Sequence, residues 1–244
     1  MPAPITAGPW DQNAQHGGPV AALIAGEMQR FAPDRPFARI ALHLMKPVPL
    51  APLRIEITVD RDGRRARRLR ADLMAGDQHV CLAYALQIQG DADSVPEVPL
   101  AGQIERGPEQ GKAAPRFSPQ PMFAPDGIEV LFVEGEFRRQ GPATAWFRLR
   151  VPVIEGEETT ALQRTMAAAD FGNGISAAVD WDEFTFVNPE LTVFLLREAQ
   201  GDWIANQAAT AIDPGGIGLA DATLHDAHGP FARALQSLYV APRP

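Results

Sequence analysis

The chain has 244 residues, of which 45% are hydrophobic and 21% charged, so it can build the core of one large or two small domains. Its 30 acidic and 22 basic residues give a formal charge of −8, which argues against nucleic acid as a partner. Cys81 is the only cysteine, and this excludes a disulfide framework and a multi-thiolate zinc site.

The start of the chain shows no targeting signal. Residues 1–13 lack the basic and apolar stretches of a signal peptide, and no run in the sequence approaches 18 apolar residues. We therefore expect a cytoplasmic protein that makes no membrane contact.

The first ninety residues have the pattern of one helix followed by antiparallel strands. Apolar residues recur at helical spacing up to Phe31, and Gly18 and Pro19 suit the start of a helix, so a helix is predicted over 17–31. Proline or Asp-Gly turns separate the runs that follow, and these runs are predicted as strands: 40–45, 53–59, 67–74 and 80–88.

Seven prolines stand between residues 91 and 125, where no strand or helix period is sustained. Such a composition is typical of an extended linker. We therefore predict an N-terminal domain over 1–90, a proline-rich linker over 91–125 and a C-terminal domain over 126–244.

The C-terminal part repeats the plan of the first. A helix is predicted over about 159–172, ended by Gly172-Asn173-Gly174. The predicted strands lie on both sides of it, at 128–137, 144–151, 191–196, 203–212, 217–224 and 231–240. A duplicated unit of one helix and one meander is the most economical interpretation.

Several short motifs follow one another in a characteristic order. They are Trp10, His16-Gly17-Gly18, Lys46-Pro47-Val48-Pro49 and Arg61-Asp62-Gly63-Arg64-Arg65 in the first half, and Ala168-Ala169-Asp170-Phe171, Asn188-Pro189-Glu190-Leu191-Thr192-Val193, Gly201-Asp202-Trp203 and Leu235-Gln236-Ser237-Leu238 in the second. In this order they resemble the acyl-CoA thioesterase II-like proteins of the thioesterase superfamily. The resemblance implies an α+β double hotdog, in which two antiparallel sheets each wrap around one central helix.

The same resemblance implies how the protein acts. In that family a water molecule attacks an acyl-CoA without a covalent intermediate, held by an Asp on the second helix, a Gln on the last strand and a Thr between them. Asp170 and Gln236 match the first two. The matching stretch for the Thr, residues 186–189, has no hydroxyl, so either Asn188 supplies the polar group or the role is vacant. The family's Phe-Gly-Gly-Gln motif is His16-Gly17-Gly18-Pro19 here.

Each of these residues also has a plainer interpretation. Asp170 shares the apolar side of its helix, but could be a solvated carboxylate at a helix end. Gln236 can donate to a carboxylate and accept from water, but a strand glutamine ordinarily faces solvent. Gly17 and Gly18 would leave amide groups bare for a substrate carbonyl, assisted by His16, or would simply form a tight turn.

Other motifs are weaker indications of function. The six arginines at 61, 64, 65, 67, 68 and 70 could bind CoA phosphates, although a solvated hairpin is the better interpretation. His225 and His228 lie in a predicted turn with no third histidine nearby, so a metal site is not expected. The Gly-x-Ser-x-Gly elbow of serine hydrolases does not occur.

The leading prediction is therefore an acyl-CoA thioesterase with Asp170, Gln236 and Asn188 as catalytic residues and His16, Gly17 and Gly18 as substrate-binding residues. The alternative is a non-catalytic protein that binds acyl-thioesters or lipids on the same scaffold. A hydratase is disfavoured because no Asp and His pair opens either predicted helix. The resemblance implies no metal or organic cofactor, and a homodimer.

Overall fold

Twelve strands and three α-helices make up most of the regular structure of the residues that the computed structural model describes, 1–90, 95–116 and 118–243. The helices are α1 (Gly17–Phe31), α2 (Ala161–Ala169) and α3 (Gly172–Ile175). The strands are β1 (Phe37–Leu44), β2 (Leu53–Asp62), β3 (Ala66–Ala75), β4 (Gln78–Ile88), β5 (Lys112–Ala113), β6 (Ile128–Glu134), β7 (Ala143–Leu149), β8 (Phe184–Val187), β9 (Glu190–Leu195), β10 (Ile204–Ile212), β11 (Ile217–Asp226) and β12 (Gly229–Pro242). None of these helices is long and apolar enough to cross a membrane.

The strands form one antiparallel sheet in the order β2-β3-β4-β1-β9-β12-β11-β10-β7-β6-β5, with β8 pairing to β12. The two halves of the chain join where β1 pairs with β9, for example through Leu42 opposite Leu191. Pairing these two apolar strands leaves neither as an open edge. The expectation of two separate sheets is therefore corrected: the sheet is continuous.

The helices α1 and α2 run antiparallel and in close contact, with Gly18 against Ala167 and Gly26 against Gln163. Each is capped at its start, α1 by the ring of His16 and α2 by a capping box between Thr160 and Gln163. A Cβ atom at Gly18 would lie 2.8 Å from the carbonyl oxygen of Ala167, so the approach depends on the missing side chain. The C-terminal end of α2 is thereby held against the N-terminal end of α1.

Residues from both halves of the chain share one hydrophobic core cluster, and both α1 and α2 contribute side chains to it. The predicted linker is more integrated than expected, because β5 pairs with β6 and Phe123 is buried in this core. Residues 91–94 of that linker and Phe117 lie outside the described residues. The division into 1–90, 91–125 and 126–244 stays a prediction.

Most predicted elements are present, with shifted ends. The strand predicted over 128–137 ends at Glu134 because Gly135 takes a φ of +73°. The helix predicted over 159–172 breaks after Ala169 and resumes at Gly172 as a single turn. The sequence analysis missed β8, a strand of only four residues.

His225, near the end of β11, is buried, and neither of its ring nitrogens has a hydrogen-bond partner among the described residues. Burial disfavours the charged imidazolium and lowers the pKa of His225 from 6.5 to about 4, against the opposing effect of the neighbouring Asp226 carboxylate.

This histidine predicts a pH dependence of folding. Between about pH 6.5 and 4 the unfolded chain holds a proton on His225 that the folded chain does not, so the free energy of unfolding falls as the pH falls through that range. Urea unfolding at a series of pH values should show a shallower dependence in His225→Leu than in the wild type. The exposed His228 provides the control, and equal slopes in His225→Leu and His228→Leu would contradict the prediction.

Candidate active site

A cavity of about 380 Å³ opens beside the N-terminal end of α1. Its walls come from the first twenty residues, from residues 44–48, from Phe137 and from residues 170–189, so both halves of the chain contribute. The walls are largely apolar and include five aromatic side chains: Trp10, Phe137, Phe171, Trp181 and Phe186. The polar exceptions include His16, Asp170, Asn173 and Asn188.

Asp170 is the buried carboxylate of this cavity. It is the C-cap of α2, its side chain is 5% exposed, and it lies directly against Gly17, the first residue of α1. A Cβ atom at Gly17 would stand 2.6 Å from Oδ2 and 2.9 Å from Oδ1. The carboxylate therefore occupies the space of a missing side chain at the positive end of the α1 dipole.

Two amide groups hold one oxygen of this carboxylate. Asn188 donates from Nδ2 to Oδ1 of Asp170 at 2.9 Å, and Gln236 donates from Nε2 to the same oxygen at 3.2 Å. Oε1 of Gln236 accepts the backbone N–H of Asn173 at 2.9 Å, which requires its NH₂ group to face Asp170. The carboxylate is thus fixed in orientation from the segment between β8 and β9 and from β12.

His16 contacts the other oxygen. Its Nδ1 lies 3.0 Å from Oδ2 of Asp170 and 3.0 Å from the backbone nitrogen of Gly18, whose N–H donates to it. The imidazole stacks on the ring of Phe171, with 4.6 Å between ring centroids. The expectation of two bare amides at this helix start is corrected, because the Gly18 amide already has an acceptor.

The structure thus brings together all six residues that the sequence singled out. Gln236 is 1% exposed, so the solvent-facing interpretation is wrong for this strand residue. Two participants were missed. Asn173 was interpreted only as part of a helix stop, and the buried Asn206 donates to the carbonyl of Ala168 at 3.0 Å, in the last turn of α2. A polar residue between the apolar Ile204 and Ala208, which lie on the same side of the predicted strand, was the available signal for Asn206.

The arginine cluster lies elsewhere. Arg67 and Arg70 pair with aspartates, while Arg61, Arg64, Arg65 and Arg68 line a surface depression at the β2–β3 turn. Arg35 lies just beyond the C-terminal end of α1 and donates to the carbonyl of Gly63 in that turn. The turn is therefore held near the C-terminal end of the helix. Asp170 lies at the opposite end of α1, so the cluster is not part of the cavity.

Solved structures of similar architecture share the fold. A hot dog fold protein from Alicyclobacillus acidocaldarius is 15% identical with a TM-score of 0.77, covering 96% of this chain and 90% of that one. The tesB protein of Mycobacterium avium subspecies paratuberculosis is 16% identical with a TM-score of 0.71, covering 97% and 91%. An acyl-CoA thioesterase II from Mycobacterium marinum is 11% identical with a TM-score of 0.69, covering 98% and 97%. The chain therefore has the hotdog fold.

Sequence comparison gives the family. No curated protein sequence matches the chain. The acyl-CoA thioesterase N-terminal domain family matches residues 6–88, and the acyl-CoA thioesterase C-terminal domain family matches residues 93–240. Because these matches cover nearly the whole sequence, the chain belongs to the acyl-CoA thioesterase family.

Proposed function

We propose that the protein hydrolyses the thioester of an acyl-CoA by direct attack of water, with Asp170 as general base. The observation that carries this proposal is a buried carboxylate, facing a largely apolar cavity, with one oxygen fixed by two amide donors. Positioned carboxylates of this kind take protons from attacking water in many hydrolases. The apolar walls suit an acyl chain and exclude competing water.

Asn188 and Gln236 have the same task in this proposal, which is to orient the base. Both donate to Oδ1 of Asp170 and leave Oδ2 for proton transfer. The amide of Asn188 also has an oxygen that can accept from the attacking water, and it would thereby supply the polar contact of the missing threonine. The double fixation avoids reorganisation of the base during the reaction.

The N-terminal end of α1 suits the thioester carbonyl. The amide of Gly17 belongs to the first turn of the helix, where backbone N–H groups have no partner within the helix. Gly17 lines the cavity beside Asp170. A carbonyl oxygen bound there would gain from this amide and from the helix dipole as negative charge develops on it.

The first test is Asp170→Asn, which keeps the shape of the side chain and removes the base. Release of free thiol from a panel of acyl-CoAs should fall by about 10²-fold or more in kcat. Binding of acyl-CoA, measured by calorimetry, should persist because a neutral isostere leaves the cavity intact.

Two results would contradict the proposal. Normal turnover by Asp170→Asn would show that the base lies elsewhere. If the wild type binds acyl-CoAs and releases no thiol from any of them, the alternative of a non-catalytic acyl-thioester-binding or lipid-binding protein holds.

Gly17→Ala is expected to impair the same step although it leaves every proposed catalytic side chain chemically unchanged. The new methyl group would collide with both oxygens of Asp170 and displace the carboxylate from its donors. Displacement of a base by about 1 Å can cost about 10²-fold in rate. Thiol release by Gly17→Ala, Asp170→Asn should scarcely differ from that by Asp170→Asn alone, since both changes act through one carboxylate. Additive losses would show that Gly17 acts through something other than Asp170.

We also propose that two copies of the chain associate. Ile217 and Tyr239 are cross-strand neighbours on β11 and β12, and together with Leu219 they leave an exposed apolar patch. An apolar patch on a sheet face is typical of an interface. Sedimentation velocity should give a dimer, and Leu219→Glu should shift it towards monomer. A wild type that sediments as a monomer at all concentrations would refute this.

A further inference from the structure

His16 places a single ring nitrogen between two partners that require opposite states of it. Nδ1 lies 3.0 Å from the backbone nitrogen of Gly18 and 3.0 Å from Oδ2 of Asp170. To accept the Gly18 N–H, Nδ1 must present a lone pair. To donate to the ionised carboxylate, it must carry a proton. Both hydrogen bonds cannot exist at once while Asp170 is ionised.

We propose that His16 takes from Asp170 the proton of the attacking water and later returns it to the departing thiolate. This inference rests on the proposed thioester hydrolysis. It assigns to His16 a proton-accepting role beyond the substrate contact that the sequence suggested.

The contacts of Asp170 decide which oxygen takes part. Oδ1 accepts from Asn188 and Gln236, whereas Oδ2 faces Nδ1 of His16. A proton delivered to Oδ2 therefore lies within hydrogen-bond distance of the ring nitrogen. The ring is kept in place by stacking on Phe171 and by the backbone N–H of His16, which donates to the carbonyl of Thr6 at 2.8 Å.

The proton and electron pairs balance as follows. The water gives one proton to Oδ2 of Asp170 and forms the C–O bond, while the carbonyl electron pair moves onto oxygen. The proton passes to Nδ1 of His16, so the Gly18 N–H loses its acceptor. The intermediate collapses, the C–S bond breaks with its electron pair on sulfur, and the thiolate takes the proton back from His16. The products are the carboxylic acid and free CoA thiol.

The charged surroundings of His16 are simple. Asp170 is the charged side chain in contact with it, and the rings of Phe171 and Phe123 pack beside the imidazole. Asp11 and Lys46 line the same cavity. Asp170 is therefore the group with which His16 exchanges the proton in this proposal.

His16→Asn separates the two roles of the residue. Asparagine is a good N-cap and keeps an acceptor for the Gly18 amide, but it cannot take up a proton. We expect the thermal midpoint of unfolding and the Kd for acyl-CoA to stay near their wild-type values, kcat to fall by about 10²-fold, and the acid limb of kcat against pH to change shape. His228→Asn, which changes an exposed histidine, is the matched control and should keep full turnover.

A wild-type kcat and pH profile in His16→Asn would overturn the proposal, as would a loss confined to KM with an unchanged profile. A second readout needs no turnover. In ¹⁵N NMR, protonation of His16 should shift the Gly18 amide resonance as it loses its acceptor, and Asp170→Asn should weaken this coupling. A Gly18 resonance that does not respond would overturn the proton-accepting role of His16 even in an active enzyme, whereas a wild type that releases no thiol would overturn the proposed function.

Discussion

The close antiparallel contact of α1 and α2 is the constraint on which the site depends. The contact is possible because Gly18 has no side chain facing Ala167, and it brings the C-terminal end of one helix to the N-terminal end of the other. A carboxylate at a helix C-terminus is unfavourable by itself, since the dipole there is negative. Asp170 instead meets the positive end of α1, in the space that Gly17 leaves open. Two glycines at one helix start thus serve packing and chemistry together.

The continuous sheet completes the site from the other side. β12 lies between β9 and β11 and carries Gln236, while Asn188 stands in the short segment between β8 and β9. Since β1 joins β9, the first half of the chain fixes the position of the strands that deliver these amides. Asp170, His16 and Gln236 therefore come from three distant parts of the sequence, and neither half of the chain holds a complete site.

The periodic spacing of apolar residues predicted most helices and strands, because it reflects which side of each helix or strand faces the core. The helix at Gly17–Phe31 and the alternating strand at β2 are examples. It could not predict that β1 and β9 would pair, because pairing depends on where two edges meet in space. It also missed β8, whose four residues are too few to show a period.

The candidate site could be predicted only in part, because its contacts also depend on how distant segments meet in space. The family resemblance identified Asp170 and Gln236 as candidate catalytic residues. The local sequence pattern left a plainer interpretation open for each of them. Two contacts of the site depend on tertiary distances that no spacing in the sequence encodes. They are the hydrogen bond from Gly18 to His16 and the packing of Asp170 into the space at Gly17. Asn206 illustrates the limit: its polarity between two apolar residues of one strand face was visible, but its partner at the end of α2 was not.

The central claim is that the end of α2 and the start of α1 form one reaction centre. It is tested most directly by a crystal structure of the protein with a non-hydrolysable acyl-CoA analogue in which the thioester sulfur is replaced by a methylene group. The account predicts the carbonyl oxygen of the analogue within hydrogen-bond distance of the Gly17 amide, and a water molecule between its carbonyl carbon and Oδ2 of Asp170. An analogue bound with its carbonyl away from both Gly17 and Asp170 would contradict it.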